Sequence, residues 1–499
     1  MKKHILYSLL IVFIMGGCEK DLSPEVYNRL STSNFPKTEE DFNVLVNGIY
    51  GEFRNNHAWY RYSINPESRF ILGLTGTEEY HAAWDWCQRP QMNFDFNPGY
   101  SLFTMFYSEM VPAVTKATAV IKQLSDAGLE NQELINRFIA EVRACRALWL
   151  YDLAGIYGPP PVVLDPEAAL NPTKEYFPPR LSEEELFTFL EDDLLNAIDI
   201  LPIAYSASND YGRWTKGAAS TLLLKLYMRH KRFQEAIDIS AQIMTMGYTL
   251  EPDYTKIWNI NNEKNPELIF VLPCLSQVDP NTNLMRAHVV PAGFISPDGN
   301  PVVSFGGYSV PWSTYDQFDT SDIRRKTLVK DFYVSTGGVV KLIDGRKTGR
   351  LRNGALPLKY SEDPSSDGLF TGNDLVIMRY ADVLMLRAEA LNEINGPVQE
   401  SIDLINMIRN RAFANDPAKE VTLSDFGNKE SLRDYILQER LFEFCFEGER
   451  REDLIRHGKY IEFAHARGIT AAQPHHVRFP LPTSAIIEGE GHIKQNDGY

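Results

Sequence analysis

Residues 77–89, TEEYHAAWDWCQR, set two tryptophans, Trp84 and Trp86, one residue apart among polar side chains. Glu78, Glu79, Tyr80, Asp85 and Arg89 stand around them. This mixture suits recognition of a sugar. Sugar rings present apolar C–H faces that stack on aromatic rings, while their hydroxyls need carboxylate, amide or guanidinium partners. The competing reading is packing. In a strand Trp84 and Trp86 would share one face, and that face could be core, because tryptophans are usually mostly buried.

Other chemistries find less support. With 66 acidic residues, some carboxylate pair must fall within the roughly 5–10 Å that glycoside hydrolysis needs, so such a pair carries no information. HExxH, GxSxG and P-loop motifs are absent. A glycan-degrading enzyme stays a rival reading, since helix-rich glycosidases exist. His475 and His476, with His492, have no carboxylate at ligand spacing and read as solvated or core-edge histidines. No cofactor is expected. There is no EF-hand-like loop, though the many acids leave a structural calcium open. The five cysteines, at 18, 87, 145, 274 and 445, form no CxxC pair. Cys445 in FEFCFEG reads as a small buried hydrophobe. The formal charge of -16, or -18 once Lys2 and Lys3 are removed with a leader, argues against nucleic-acid binding.

The elements that must position these residues are mostly helical. Length alone suggests about two to four domain-sized units, or equally one large helical body with insertions. Residues 1–17 read as a signal peptide, with a basic start, an apolar run from Ile5 to Met15, and Gly16-Gly17 at the cut. Cys18 follows directly, as in a bacterial lipobox, with Met15 in place of the usual Leu; cleavage and acylation at Cys18 are implied. Residues 18–37 then form a lipidated polar tether, in which Glu19-Lys20-Asp21 resembles the export signal of surface lipoproteins. Thr38 is a helix N-cap with acids in the first turn. Phe42, Leu45, Val46, Ile49, Tyr50 and Phe53 keep one apolar face.

Helical periodicity places repeats at about 38–54, 103–157, 182–246 and 379–412. Ser182 and Glu185 stand in capping-box spacing. Tyr227 and Ala236 are nine apart, like the aromatic and small residues of a tetratricopeptide repeat. Residues 55–102 and 273–375 lose the period and are rich in Gly, Pro and Asn or Asp, so they read as irregular insertions. A structureless loop as long as 273–375 would be abnormal, so an inserted lobe with short strands, for example near 338–343, is expected. The fold class is a mostly α, tetratricopeptide-like helix-hairpin scaffold with a large loop-rich lobe.

Together these pieces resemble the SusD/RagB family of nutrient-binding lipoproteins. ERLFEFCFEGERREDLIRHG, 439–458, looks like its carboxy-terminal signature, and RYADVLMLRAEALNEING, 379–396, like its last repeat helix. QNDGY, 495–499, resembles its closing motif, with Asp497 where Pro is usual, and NFPKTEED, 34–41, is also similar. The resemblance implies a single domain over 38–499, with the signature within 428–499. It implies a non-catalytic protein, anchored to the outer membrane through Cys18. Such a protein captures an oligosaccharide and delivers it to a TonB-dependent SusC-like transporter. Oligopeptide capture by the same kind of system is the alternative. By region and residue type it points to Glu79, Tyr80, Trp84, Trp86 and Arg89 as ligand contacts, joined by Tyr308 and Trp312 of GGYSVPW in the inserted lobe. Read physically, 439–458 is structural: an apolar stripe, a turn at Gly448, and a charge network of Glu443, Glu447, Arg450, Arg451 and Asp453.

Overall fold

The structure, a computed structural model, describes residues 35–54, 61–171, 176–276, 281–300, 302–336 and 339–499. The leader, Cys18 and most of the tether lie outside the described residues. The chain divides into two units, Met1–Leu45 and Val46–Tyr499. In the first, Thr38 caps the helix Glu39–Gly51: its Oγ1 accepts from the Asp41 N–H at 3.2 Å, and Asp41 Oδ2 accepts from the Thr38 N–H at 3.0 Å.

In the second unit the long helices pack in succession. Ser101–Ser125 lies on Gln132–Tyr157, which lies on Glu183–Ile200, followed by Lys216–Arg229 and Phe233–Met244. Each has a local reason to start or stop. Ser182 and Glu185 form the reciprocal capping box at the start of Glu183–Ile200. The turn 230–232 joins the Lys216–Arg229 and Phe233–Met244 hairpin. The succession then departs from chain order: Phe233–Met244 packs on Tyr380–Asn395, which carries Gln399–Ala412 and Lys429–Glu443. Arg387 stitches this junction, donating to the Ile237 carbonyl at 2.6 Å and to Ser240 Oγ at 3.1 Å. Residues 245–379 therefore leave the helical layer and return to it, as expected of an inserted lobe.

The lobe is built from short antiparallel strands. Leu268–Leu272 pairs with Leu375–Arg379 where the chain leaves and re-enters the helices. Phe294–Ile295, Asp331–Thr336 and Val339–Asp344 form a three-stranded sheet. A four-stranded sheet runs His81–Ala82, Tyr308–Pro311, Gly354–Pro357, Leu328–Val329. Its edge strand comes from the first irregular region, so the two insertions share one sheet.

The residues around 443–453 are pinned by charge: Asp453 pairs within the signature with Arg440 and Arg456, both at 2.8 Å, whereas Glu443, Glu447 and Arg450 find partners on other elements. Arg379 reaches Glu443 at 2.6 Å, Glu267 at 2.8 Å and Glu447 at 2.8 Å. Arg324 of the lobe reaches Glu439 at 2.7 Å and Glu443 at 3.2 Å. Three guanidiniums, from Arg411, Arg379 and Arg324, hold the Glu443 carboxyl far below its usual range against the opposing effect of burial. Arg450 pairs with Glu78 at 2.5 Å, tying the signature to the segment just before the two tryptophans. Gly448 has φ +82, and its carbonyl accepts from Arg69 Nη1 at 2.7 Å. A Cβ on Gly73 would stand 2.1 Å from that carbonyl, so this crossing needs glycine.

The tail folds back. The Phe479 N–H donates to the Ile156 carbonyl at 2.8 Å, and Asn496 Nδ2 donates to the carbonyls of Tyr157 and Phe479, both at 2.8 Å. The closing residues thus act as a clasp on the Gln132–Tyr157 helix.

Candidate functional site

The segment 80–93 is neither a long strand nor a loop. His81–Ala82 pairs with Tyr308 and Ser309, and the chain then turns at once into the helix Asp85–Asn93. Trp84 is the N-cap of that helix, with an extended backbone. Trp86 lies in its first turn. Because Trp84 sits outside the helical spiral, the two rings are not thrown to different sides, as i and i+2 would be within a helix. Their centroids stand 6.4 Å apart with planes inclined by only 8°. Pro90 has no N–H to return to the Trp86 carbonyl one turn earlier.

Trp84 is half-buried and Trp86 is 54% exposed. Trp84 rests on Gly307: a Cβ there would meet the indole at 2.4 Å. The backbone beneath is tied on both sides, Ala83 N–H to the Gly307 carbonyl at 2.7 Å and Gly307 N–H to the His288 carbonyl at 2.7 Å. Tyr308 meets Trp84 edge to face at 5.3 Å, and His288 meets it at 5.9 Å. Phe305, exposed on the same loop, meets His288 at 5.1 Å. The exposed tryptophan thus stands above a layer of interlocked rings and is held by it.

Burial favours the neutral form of the two histidines beside these rings. Burial lowers the His288 pKa to about 4 and lowers that of half-buried His81. Gln88 Nε2 stands 3.3 Å from His81 Nε2. Arg89 is open to solvent, with its nearest carboxylate, Asp95, at 3.7 Å.

The structure separates the sequence candidates. Trp84, Trp86 and Arg89 come together on one short helical turn. Tyr80 and Tyr308, each 2% exposed, lie beneath, so neither ring can stack on a ligand directly. The Tyr80 hydroxyl donates to Gln91 Oε1 at 2.6 Å, and the Tyr308 hydroxyl has no partner among the described residues. Glu79 is turned the other way and fully buried. Its Oε2 accepts from the Phe446 N–H at 3.1 Å, and burial pushes its pKa up to about 8. It supports the signature segment and does not reach the tryptophans' exposed side. Trp312 lies at the far end of the strand Tyr308–Pro311, about 13 Å along at ~3.3 Å per residue. Its Nε1 donates to the Leu351 carbonyl at 3.1 Å, and the Arg346 guanidinium covers its ring at 4.5 Å. Asp316 holds that guanidinium through two contacts, at 2.7 and 2.8 Å. One ring face of Trp312 is therefore occupied from within the protein.

Sequence reasoning missed Phe305, His288 and Gly307. Phe305 precedes the quoted GGYSVPW directly, and an aromatic beside two glycines was the available signal. Trp59 and Tyr60 lie outside the described residues. Among the described residues no group of three His, Cys, Asp or Glu side chains is arranged to hold a metal ion.

Comparison with known proteins agrees with this architecture. The model of the SusD family, SusD_RagB, matches residues 343–499. SusD-like protein P2 of Formosa agariphila is 23% identical over 523 aligned residues, covering 100% of both chains. Among solved structures, a SusD homolog from Bacteroides thetaiotaomicron superposes with a TM-score of 0.80 at 22% identity, over 94% of this chain and 99% of that one. A laminarin-binding SusD-like protein superposes with a TM-score of 0.76 at 22% identity, over 93% and 100%.

Proposed function

Since this chain belongs to the SusD/RagB family, we propose that it captures a glycan on a platform made by Trp84, Trp86 and Phe305. The observation that carries this reading is the exposed Trp86 indole, near-parallel to a Trp84 ring that is locked on Gly307. Exposed aromatic area that is already immobilised loses little freedom when a flat partner arrives. Neutral His81 and Gln88, with solvent-exposed Arg89, are suited to the hydroxyls of a stacked sugar. A likeness in fold to a laminarin-binding protein supports the same ligand class.

The protein acts without bond chemistry and without a cofactor in this proposal. It is anchored through Cys18 at the outer-membrane surface and hands its ligand to a TonB-dependent, SusC-like transporter. No described helix is long and apolar enough to cross a membrane, which is compatible with a lipid anchor. The test is a calorimetric titration of the purified protein with laminarin and starch oligosaccharides, host-type glycans and mixed peptides. Saturable oligosaccharide binding that Trp86→Ala weakens about tenfold is expected. Binding to peptides alone would replace the glycan reading, and products accumulating over time would defeat the binding-only reading. Co-purification of a barrel transporter with the tagged protein from membranes tests the delivery step.

A further inference from the structure

A cavity of about 620 Å³ in the helical layer contains none of the platform residues. That volume is within the range of small-molecule sites. Its walls are the end of the Gln132–Tyr157 helix, the turn 230–232, the Tyr380–Asn395 helix and the Arg450–Arg456 helix with His457.

The charges lining it do not balance. Five carboxylates face it, and each is taken by a lining arginine. Asp152 pairs with Arg69 at 2.9 Å, Glu452 with Arg229 at 2.9 Å and Glu389 with Arg456 at 2.6 Å. Glu393 pairs with Arg433, and Glu183 with Arg478. Two lining cations, Lys231 and Arg451, are left with no carboxylate in ion-pair reach among the described residues. Lys231 is exposed at the tight turn, with φ +57. Arg451 is only 3% exposed. Its Nη1 and Nη2 donate to the carbonyls of Gly155 and Val477 at 3.3 and 2.8 Å, and the guanidinium lies 4.7 Å from the Phe479 ring and 5.4 Å from that of Tyr460, but no carboxylate reaches it and its Nε has no hydrogen-bond acceptor among the described residues. The side chain of His457 is also buried, with Nε2 3.3 Å from Glu389 Oε1 and Nδ1 without a hydrogen-bond partner among the described residues.

A buried guanidinium without a counter-charge is unfavourable unless something supplies one. In a chain of formal charge -16, a cavity with unmatched cations is not a by-product of general composition. We propose that this cavity is a second binding site, which takes the oxyanion group of a small polar molecule, such as the carboxylate of a uronate sugar, between Lys231 and Arg451. Guanidinium and ammonium donors both strengthen when their acceptor is charged, and the guanidinium fork fits a carboxylate or a sulfate. The site is separate from the tryptophan platform and does not depend on it.

The experiment is a calorimetric titration of the purified protein with sodium glucuronate, repeated with sulfate and phosphate as competitors at constant ionic strength. Glucuronate binds saturably, the inorganic oxyanions compete, Lys231→Glu weakens binding at least tenfold, and Trp86→Ala leaves it unchanged. Arg451→Gln abolishes binding. That substitution also removes two carbonyl contacts, so Lys231→Glu, at an exposed position, decides the matter if Arg451→Gln unfolds the chain. Absence of saturable binding by all three anions would overturn the proposal. So would equal affinity in Lys231→Glu, or loss of binding in Trp86→Ala.

Discussion

Replacing Trp86 by alanine should weaken ligand binding about tenfold while leaving the fold nearly untouched, and the structure sets the size of both effects. An indole offers about 150–250 Å² of area, and Trp86 is 54% exposed, so about 100 Å² is available to a ligand. Covering all of it would contribute about 2.5 kcal/mol at ~25 cal/mol per Å². A sugar lying on one ring face covers about half, near 1.2 kcal/mol, or close to tenfold in Kd. Stability should change by only about 1 kcal/mol, because what is lost inside the protein is the contact with Trp84 and alanine favours the helix. Calorimetry with the tightest-binding oligosaccharide, alongside thermal melts, reads both quantities. A Kd within twofold of the parent would refute the stacking argument. A large fall in Tm accompanying the loss of binding would refute the claim that Trp86 is a presented surface rather than a core residue.

Three further outcomes follow from the same geometry. Gly307→Ala should weaken glycan binding about as much as Trp86→Ala, since its Cβ would stand 2.4 Å from the Trp84 indole and must displace it; tryptophan emission should shift, and an unchanged Kd would contradict the support role. Glu443→Gln should reduce stability by about 3–5 kcal/mol in denaturant titration, because it leaves buried Arg379, Arg411 and Arg324 undercompensated; a loss under 1 kcal/mol would mean the network is dispensable. Glu79 is held near pKa 8 in the fold against 4.5 normally, so the folded state retains a proton that the unfolded state has lost. This contribution is present below about pH 4.5 and fades as pH rises through 8. Glu79→Gln should therefore gain in Tm relative to the parent progressively from pH 5 to pH 8, and a pH-independent difference would show that Glu79 is ionised.

The helical scaffold was legible because its signals are local. Ser182 and Glu185 announce a helix start within four residues, and Thr38 does the same for the first helix. The hairpin at 216–244 is visible in one stretch of sequence. The candidate site was half legible. Two tryptophans among polar neighbours mark a surface, but only the pairing of His81–Ala82 with Tyr308 and Ser309 decides what lies above the sheet and what lies beneath. That pairing joins distant segments, so Tyr80 and Tyr308 looked equivalent to Trp86 when they are its foundation. Glu79 misled for the opposite reason. It is close to Trp84 in sequence, yet the intervening strand sends it to Phe446. Gly307 became meaningful only once Trp84 was seen lying on it, and Phe305 once it was seen against His288. In the signature segment, the composition correctly announced an ion network, but buried ion pairs couple distant elements, and the partners Arg324, Arg379 and Glu78 could not be read from 443–453 itself.

A structure of the protein with a bound oligosaccharide tests the central claim most directly. The account predicts a sugar ring lying flat within about 4 Å of the exposed Trp86 indole, with further contacts to Trp84 and Phe305. A saccharide bound elsewhere, with the Trp86 ring still open to solvent, would contradict it.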